Sequence, residues 1–176
     1  IKEESLWKKL EPYLIRLERD VKHRDKDSIS LGSAEYLIIG MGNAGQSAYD
    51  TLKTVDAKVV GMDIDPDRIE RNLKKGRRVV YGDIQDTELW ANSDIGNLKA
   101  VMIAMGNLQA KLNAIKMFRN IGFTGSINVI TMREDEAIAM DKAGANPVSI
   151  PIKEAGQRLA DMSLRKTGQL ETKVPG

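Results

Sequence analysis

The segment AEYLIIGMGNAGQSA, residues 34–48, constrains the fold of this chain more than any other part of it. A short apolar run delivers the chain into three glycines, Gly40, Gly42 and Gly45, at the spacing G-x-G-x-x-G. Such a pattern either holds a nucleotide's phosphates against a helix start or is simply a tight strand-to-helix turn. In the first reading Gly40 makes the turn, Gly42 lets the backbone approach a phosphate, and Gly45 allows the helix to pack close on the strand. The amides of Asn43 and Ala44 then lie at the helix N-terminus, where unpaired N–H groups and the helix dipole favour an anion.

The rest of the chain repeats the same alternation. Apolar runs at 36–40, 58–63, 77–82, 99–106, 126–131 and 147–152 are separated by helical stretches at 43–55, 65–75, 86–92, 107–121 and 133–143, with a further one at 153–166. Near-continuous apolar runs indicate strands covered on both faces, as in a parallel sheet. Six strands with intervening helices predict an α/β fold: a doubly wound, Rossmann-like parallel six-stranded sheet in the order 3-2-1-4-5-6. That domain is expected over residues 34–168, with a polar tail at 169–176. Residues 1–33 read as an N-terminal connector helix and linker, with Trp7, Leu10, Leu14, Leu17 and Val21 forming a 3-4-3-4 stripe that equally suits a helix packed on its own domain.

Two further elements fall in register with the glycine turn. KVVGMDID places Asp63 at the end of the second strand, 18 residues beyond Gly45, with Ile64 beside it. A carboxylate there accepts hydrogen bonds from the ribose hydroxyls of an adenosine and repels a 2′-phosphate, which favours AMP, ATP or NAD(H) over NADP(H). Arg68 is the nearest arginine downstream. Asp65 precedes Pro66 and reads as a helix cap. After the third strand, GDIQD offers Asp83 and the Ile84 backbone to an adenine edge, although Asp83 equally suits a cap for the helix near Asp86. The fourth strand ends in Ala104, Met105 and Gly106, which would line the cleft at the topological switch point. With Met41 inside the glycine turn, the cofactor-binding set is Gly40, Met41, Gly42, Asn43, Ala44, Gly45, Asp63, Ile64, Asp83, Ile84, Ala104, Met105 and Gly106.

Composition narrows the chemistry. The 176 residues contain no cysteine, which excludes disulfides, thiolate zinc sites and cysteine nucleophiles. A net charge of +2 does not suggest nucleic-acid binding. No apolar run approaches the roughly 18 residues of a membrane-spanning helix. The only histidine is His23, ahead of the domain, and no cluster at metal spacing, nucleophile elbow or Walker-type lysine is present. The catalytic and metal sets are therefore empty, and a regulatory module is favoured over an enzyme. The alternative is a fragment or subunit of an NAD-dependent oxidoreductase.

GMGNAGQ, GMDIDPDRI, GDIQDTELW and AMGN follow one another in an order that resembles RCK domains, also called KTN or TrkA N-terminal domains. The resemblance covers about residues 34–166 and is strongest to the C-terminal domain of Kef-type potassium efflux (cation/proton antiporter) systems. It implies binding of AMP, NAD(H) or a related adenine nucleotide, a homodimer, and a membrane-embedded transporter domain upstream in the same polypeptide. It also implies a soluble domain at the cytoplasmic face of the cell membrane, and it fits a chain that opens on Ile1 as an excised piece. Glutathione-regulated members resemble G-R-F-G-Q at the turn. Here Asn43 takes the arginine's place, and Arg133 corresponds only approximately to their second basic anchor. Helical surfaces carrying Leu112, Ile115, Met117, Phe118, Ile138, Met140 and Met162 are expected either to supply dimer contacts or to pack in the core.

Overall fold

A computed structural model describes residues 31–86, 90 and 93–167. The expected connector helix and the polar tail lie outside the described residues, as does most of the 86–92 helix. Six strands form one all-parallel sheet: β1 (Tyr36–Ile39), β2 (Val59–Asp63), β3 (Val79–Tyr81), β4 (Ala100–Ile103), β5 (Ser126–Ile130) and β6 (Val148–Ser149). Their order is β3-β2-β1-β4-β5-β6, as the sequence predicts. The helices are α1 (Asn43–Lys53), α2 (Pro66–Lys74), α3 (Leu108–Asn120), α4 (Glu134–Lys142) and α5 (Pro151–Lys166). Among the described residues no helix is long and apolar enough to cross a membrane.

Strand period sorts the side chains onto two faces. Leu37, Ile39, Val60, Met62, Val101 and Ile103 join Ile115, Phe118 and Met140 in one core cluster. Ile38, Val59 and Val79 point the other way, toward Met41 and Tyr49 and Ile69 of α1 and α2. Helices thus cover both faces, which is why the strands read as unbroken apolar runs rather than alternating ones. Leu31, placed by sequence in the linker, is 2% exposed and belongs to the first cluster, so the core begins before the first strand.

The sixth apolar run splits. Only Val148–Ser149 pairs with β5, and Pro151 opens α5, because its fixed φ and missing N–H suit a first helical turn better than a ladder. Ile115, Phe118 and Met140, carried as alternative dimer contacts, have no exposed surface and are core residues. Ile138 and Met162 are exposed, while Leu112 and Met117 are half-buried.

Candidate functional site

The carboxyl ends of the strands meet where the chain reverses its winding, between β1 and β4. Leu37 lies in register with both Val60 and Val101, so β1 sits between β2 and β4 and its end opens into the crevice. Gly40 turns the chain there at φ +93°, and a side chain on it would press within 3.0 Å of the Ala104–Met105 backbone. Gly45 lies so close under the turn that a Cβ would stand 2.0 Å from the Gly40 carbonyl oxygen. Gly42 differs from both: its φ is ordinary and the space beside it is open. The three glycines therefore have three separate reasons, and only the one at Gly42 is room for something outside the chain.

Helix α1 starts directly from Gly42, with no side-chain cap and no acidic residue in its first turn. Asp65 caps α2 by accepting from the Asp67 and Arg68 amides, and Asn107 caps α3 through the Ala110 amide, whereas α4 and α5, like α1, start without a side-chain cap. Asn43 and Ala44 are exposed at this uncapped end. The first amides of a helix have no acceptor within it, so they form an electropositive cluster facing the crevice.

The turn is held from below. The Met41 N–H donates to Asp63 Oδ2 at 2.7 Å, and the Met41 carbonyl accepts from Asn72 Nδ2 at 3.2 Å and Gln46 Nε2 at 3.1 Å. The Met41 side chain is fully buried and lies over Gly61, where a Cβ would meet its sulfur at 2.5 Å. Met41 therefore reaches the crevice only through its backbone. Gly61 is a glycine in mid-strand because Met41 fills that space.

Asp63 is 5% exposed and serves several donors at once. Its Oδ2 takes the Met41 amide, its Oδ1 takes the Asp65 N–H at 3.0 Å, and Arg68 Nη1 reaches both oxygens at 3.1 and 3.2 Å. Arg68 also meets Asp65 at 3.3 Å and is itself partly open to solvent. Asp63 thus orders the glycine turn, and Arg68 covers its outer side. Ile64 and Tyr81 flank it with exposed apolar surface at the ends of β2 and β3.

The remaining predicted residues are placed as follows. Asp83 is half-buried, and its Oδ1 accepts the Gln85 amide at 2.9 Å in a local turn. The Ile84 side chain is 6% exposed and part of the core. Ala104 and Met105 are half-buried beside Gly40, and Gly106 is exposed with open space around it. A hollow of about 440 Å³ lies elsewhere, on the outer side of α3 between Ile84, Gln85, Lys116, Met117, Asn120 and Ile121. It lacks the convergent amides of the glycine turn and shares only Ile84 with the predicted set.

Lys111 escaped the sequence reading. It is 4% exposed on the first turn of α3, and its ammonium donates to the Ile130 carbonyl at 2.6 Å. Burial pushes its pKa below the usual lysine value, and Glu136 opposes that shift. Glu136 is held in turn by the Thr131 hydroxyl. A buried cation therefore sits at the carboxyl end of β5, next to the crevice.

The model of the TrkA-N domain matches residues 36–151, most of the described fold. The chain belongs to the TrkA-N family. Among curated relatives, the Ktr system potassium uptake protein C of Bacillus subtilis is 28% identical over 127 residues, 72% of this chain and 57% of that protein. The glutathione-regulated potassium-efflux system protein KefC of Cronobacter sakazakii is 27% identical over 157 residues, 88% of this chain and 25% of its own length. This TrkA-N domain thus spans little more than half of the first and a quarter of the second. Among solved structures, the NAD(P)-binding domain of an exopolyphosphatase-related protein from Archaeoglobus fulgidus superposes with TM-score 0.68 at 23% identity, covering 75% of this chain and 98% of that one. The Kef C-terminal domain of Shewanella denitrificans, in an AMP-bound form, gives TM-score 0.63 at 17% identity, covering 76% and 80%. At these identities the superpositions establish the common fold.

Proposed function

We propose that this TrkA-N domain is a cytosolic regulatory module of a potassium or cation transport system, which binds an adenine nucleotide at the glycine turn and gates an attached membrane domain. The observation that carries this reading is the combination at Gly42: open space, an uncapped helix start beside it, and a turn clamped from below by Asp63, Asn72 and Gln46. A phosphate fits such a place because the amides are already oriented and need no reorganisation on binding. The ribose lies against Asp63 and Arg68, and the adenine between Ile64, Tyr81 and the Asp83–Ile84 backbone. AMP and NAD(H) are the expected ligands, supported by the AMP bound to the Kef relative and the NAD(P)-binding description of the archaeal one.

The domain acts as a homodimer in this proposal. Helix α5 has no buried residue and carries Ile152, Leu159 and Met162 on one stripe, each more than 60% exposed. A second copy covering that stripe would remove apolar surface that a lone domain leaves in water. Nucleotide then shifts the balance between dimer arrangements by its differential affinity for them.

Thermal unfolding with AMP, ADP, ATP, NAD⁺, NADH and NADPH tests the reading. A ligand at 100 times its dissociation constant adds roughly 2.7 kcal/mol. At roughly 2–4 °C per kcal/mol for a chain of this size, the midpoint should rise by about 5–10 °C. A chain free of co-purified nucleotide that responds to none of them contradicts the proposal.

A further inference from the structure

In a parallel sheet all strands begin on one edge, and here that edge is basic. Lys58, Arg78 and Lys99 stand directly before β2, β3 and β4, Lys53 ends α1, and Lys74 and Lys75 end α2. All six are exposed. Main-chain bonds gather the strand starts: the Lys58 carbonyl accepts the Glu35 and Tyr36 amides, and the Lys99 amide donates to the Glu35 carbonyl. Acids share this edge and take some of its cations, Glu35 pairing with Lys99 at 3.0 Å, Asp50 with Arg77 at 2.6 Å and Glu70 with Lys74 at 2.6 Å, while exposed Asp56 stands beside Val55; the cations still outnumber them. The opposite edge is richer in acids, with Asp63, Asp65, Asp83, Asp86, Glu134 and Asp135, four of which are paired with Arg68, Arg133 or Lys153. A chain of net charge +2 is thus polarised across the sheet.

Two more features share the basic edge. Val55, 75% exposed at the tip of the α1–β2 turn, lies between Lys53 and Lys58 in the chain, with exposed Asp56 next to it. The chain also enters the domain here, where Leu31 and Ala34 are buried and Gly32 lies against the Arg78 guanidinium.

We infer that the amino edge of the sheet docks on an anionic lipid surface, with Val55 dipping into the headgroups and the lysines around it facing lipid phosphates. The inference rests on the reading of this chain as the cytosolic part of a membrane protein, because an upstream anchor would deliver the domain to the bilayer by this edge. Each lysine near such a surface adds a modest increment that acts over about a Debye length. Docking this way turns the acidic edge and the nucleotide crevice toward the cytosol.

Co-sedimentation of the full chain with phosphatidylcholine vesicles, with and without 30% phosphatidylglycerol, tests this. Binding is expected to the anionic vesicles alone, lost in high salt, and at least tenfold weaker in the variant carrying Lys53→Gln, Lys58→Gln, Lys74→Gln and Lys75→Gln. A control with Arg133→Gln and Lys153→Gln on the other edge should bind like the wild type. Unchanged binding by the fourfold variant overturns the inference, since residues 1–30 would then be the lipid anchor. Binding to neither vesicle also overturns it and points to a protein partner for the edge. Nucleotide stabilisation in the same samples keeps the function proposal separately testable.

Discussion

Gly42 and Gly45 stand three residues apart in one turn, yet the same substitution at each should give opposite outcomes. Alanine at Gly45 places a Cβ 2.0 Å from the Gly40 carbonyl oxygen and 3.3 Å from Ile38 Cγ2. Carbon and carbonyl oxygen approach comfortably to about 3.3 Å, so turn and helix must part by more than an ångström. The obstacle is backbone, and both sides are pinned: Gly40 by the Met62 carbonyl at 2.9 Å, Met41 by Asp63. Overpacking of this kind costs roughly 1–3 kcal/mol, and immobile neighbours place this case at the upper end. At roughly 2–4 °C per kcal/mol the midpoint falls by about 6–12 °C. Alanine at Gly42 meets nothing within 4 Å and accepts the observed φ of −73°. A weaker N-cap and a less flexible unfolded chain nearly cancel, each about 0.5 kcal/mol, so the midpoint moves by under about 2 °C. Its methyl nevertheless fills the room beside the uncapped amides. AMP or NAD⁺ should bind Gly42→Ala at least tenfold more weakly and lose most of its stabilising effect. The assay is differential scanning fluorimetry of wild type, Gly42→Ala and Gly45→Ala, each with and without ligand. A Gly42→Ala protein that keeps the full ligand shift refutes the placement of the phosphate. A Gly45→Ala protein as stable as wild type refutes the packing argument.

Three other outcomes are expected. Asp63→Ala leaves the buried Met41 N–H without its acceptor and should destabilise the domain by about 1–3 kcal/mol even without ligand, read as a lowered denaturant midpoint. Asp63→Asn retains one oxygen for that amide and should lose less. Lys111 has a folded-state pKa below its ordinary value of 10.5. The unfolded chain therefore holds that proton more tightly, and wild-type stability should rise, relative to Lys111→Met, as pH climbs toward 10.5; denaturation at pH 8 and 10 checks it, and a relative fall contradicts the burial argument. Finally, Leu159→Asp with Met162→Asp should convert a dimer to a monomer in sedimentation velocity without lowering the unfolding midpoint of the domain, since neither side chain is buried in it.

The sheet was legible because its strands are apolar on both faces and each is followed by a helix signal, so strand number and parallel class come from period and punctuation, and the order follows from the doubly wound topology. The glycine turn was legible for the same reason: Gly40, Gly42 and Gly45 have spacing-specific roles that geometry assigns separately. What escaped was the support beneath it. Asn72 is a buried polar residue on α2 one turn from buried Ile69, and only the tertiary contact explains why a polar group stands on the inner face. Gly61 carries no sign in the sequence of the Met41 side chain that fills its missing Cβ. Arg68 reads in sequence only as the nearest arginine downstream, yet one helical turn carries its guanidinium back onto Asp63. Lys111 drew no reading from the sequence, because burial of a charge at a strand end depends on how α3 crosses β5. The sixth strand was overextended since Ile150-Pro151-Ile152 is as apolar as a strand, and the proline decides it for the helix.

The central claim, that the glycine turn receives an adenine nucleotide, is tested most directly by amide NMR of the ¹⁵N-labelled chain titrated with AMP. The account predicts saturable shifts at the Gly42, Asn43, Ala44 and Gly45 amides, with smaller ones at Asp63 and Ile64, and no change at Lys116, Asn120 or Ile121. Shifts confined to that outer face of α3, or none at all at millimolar AMP, would contradict it.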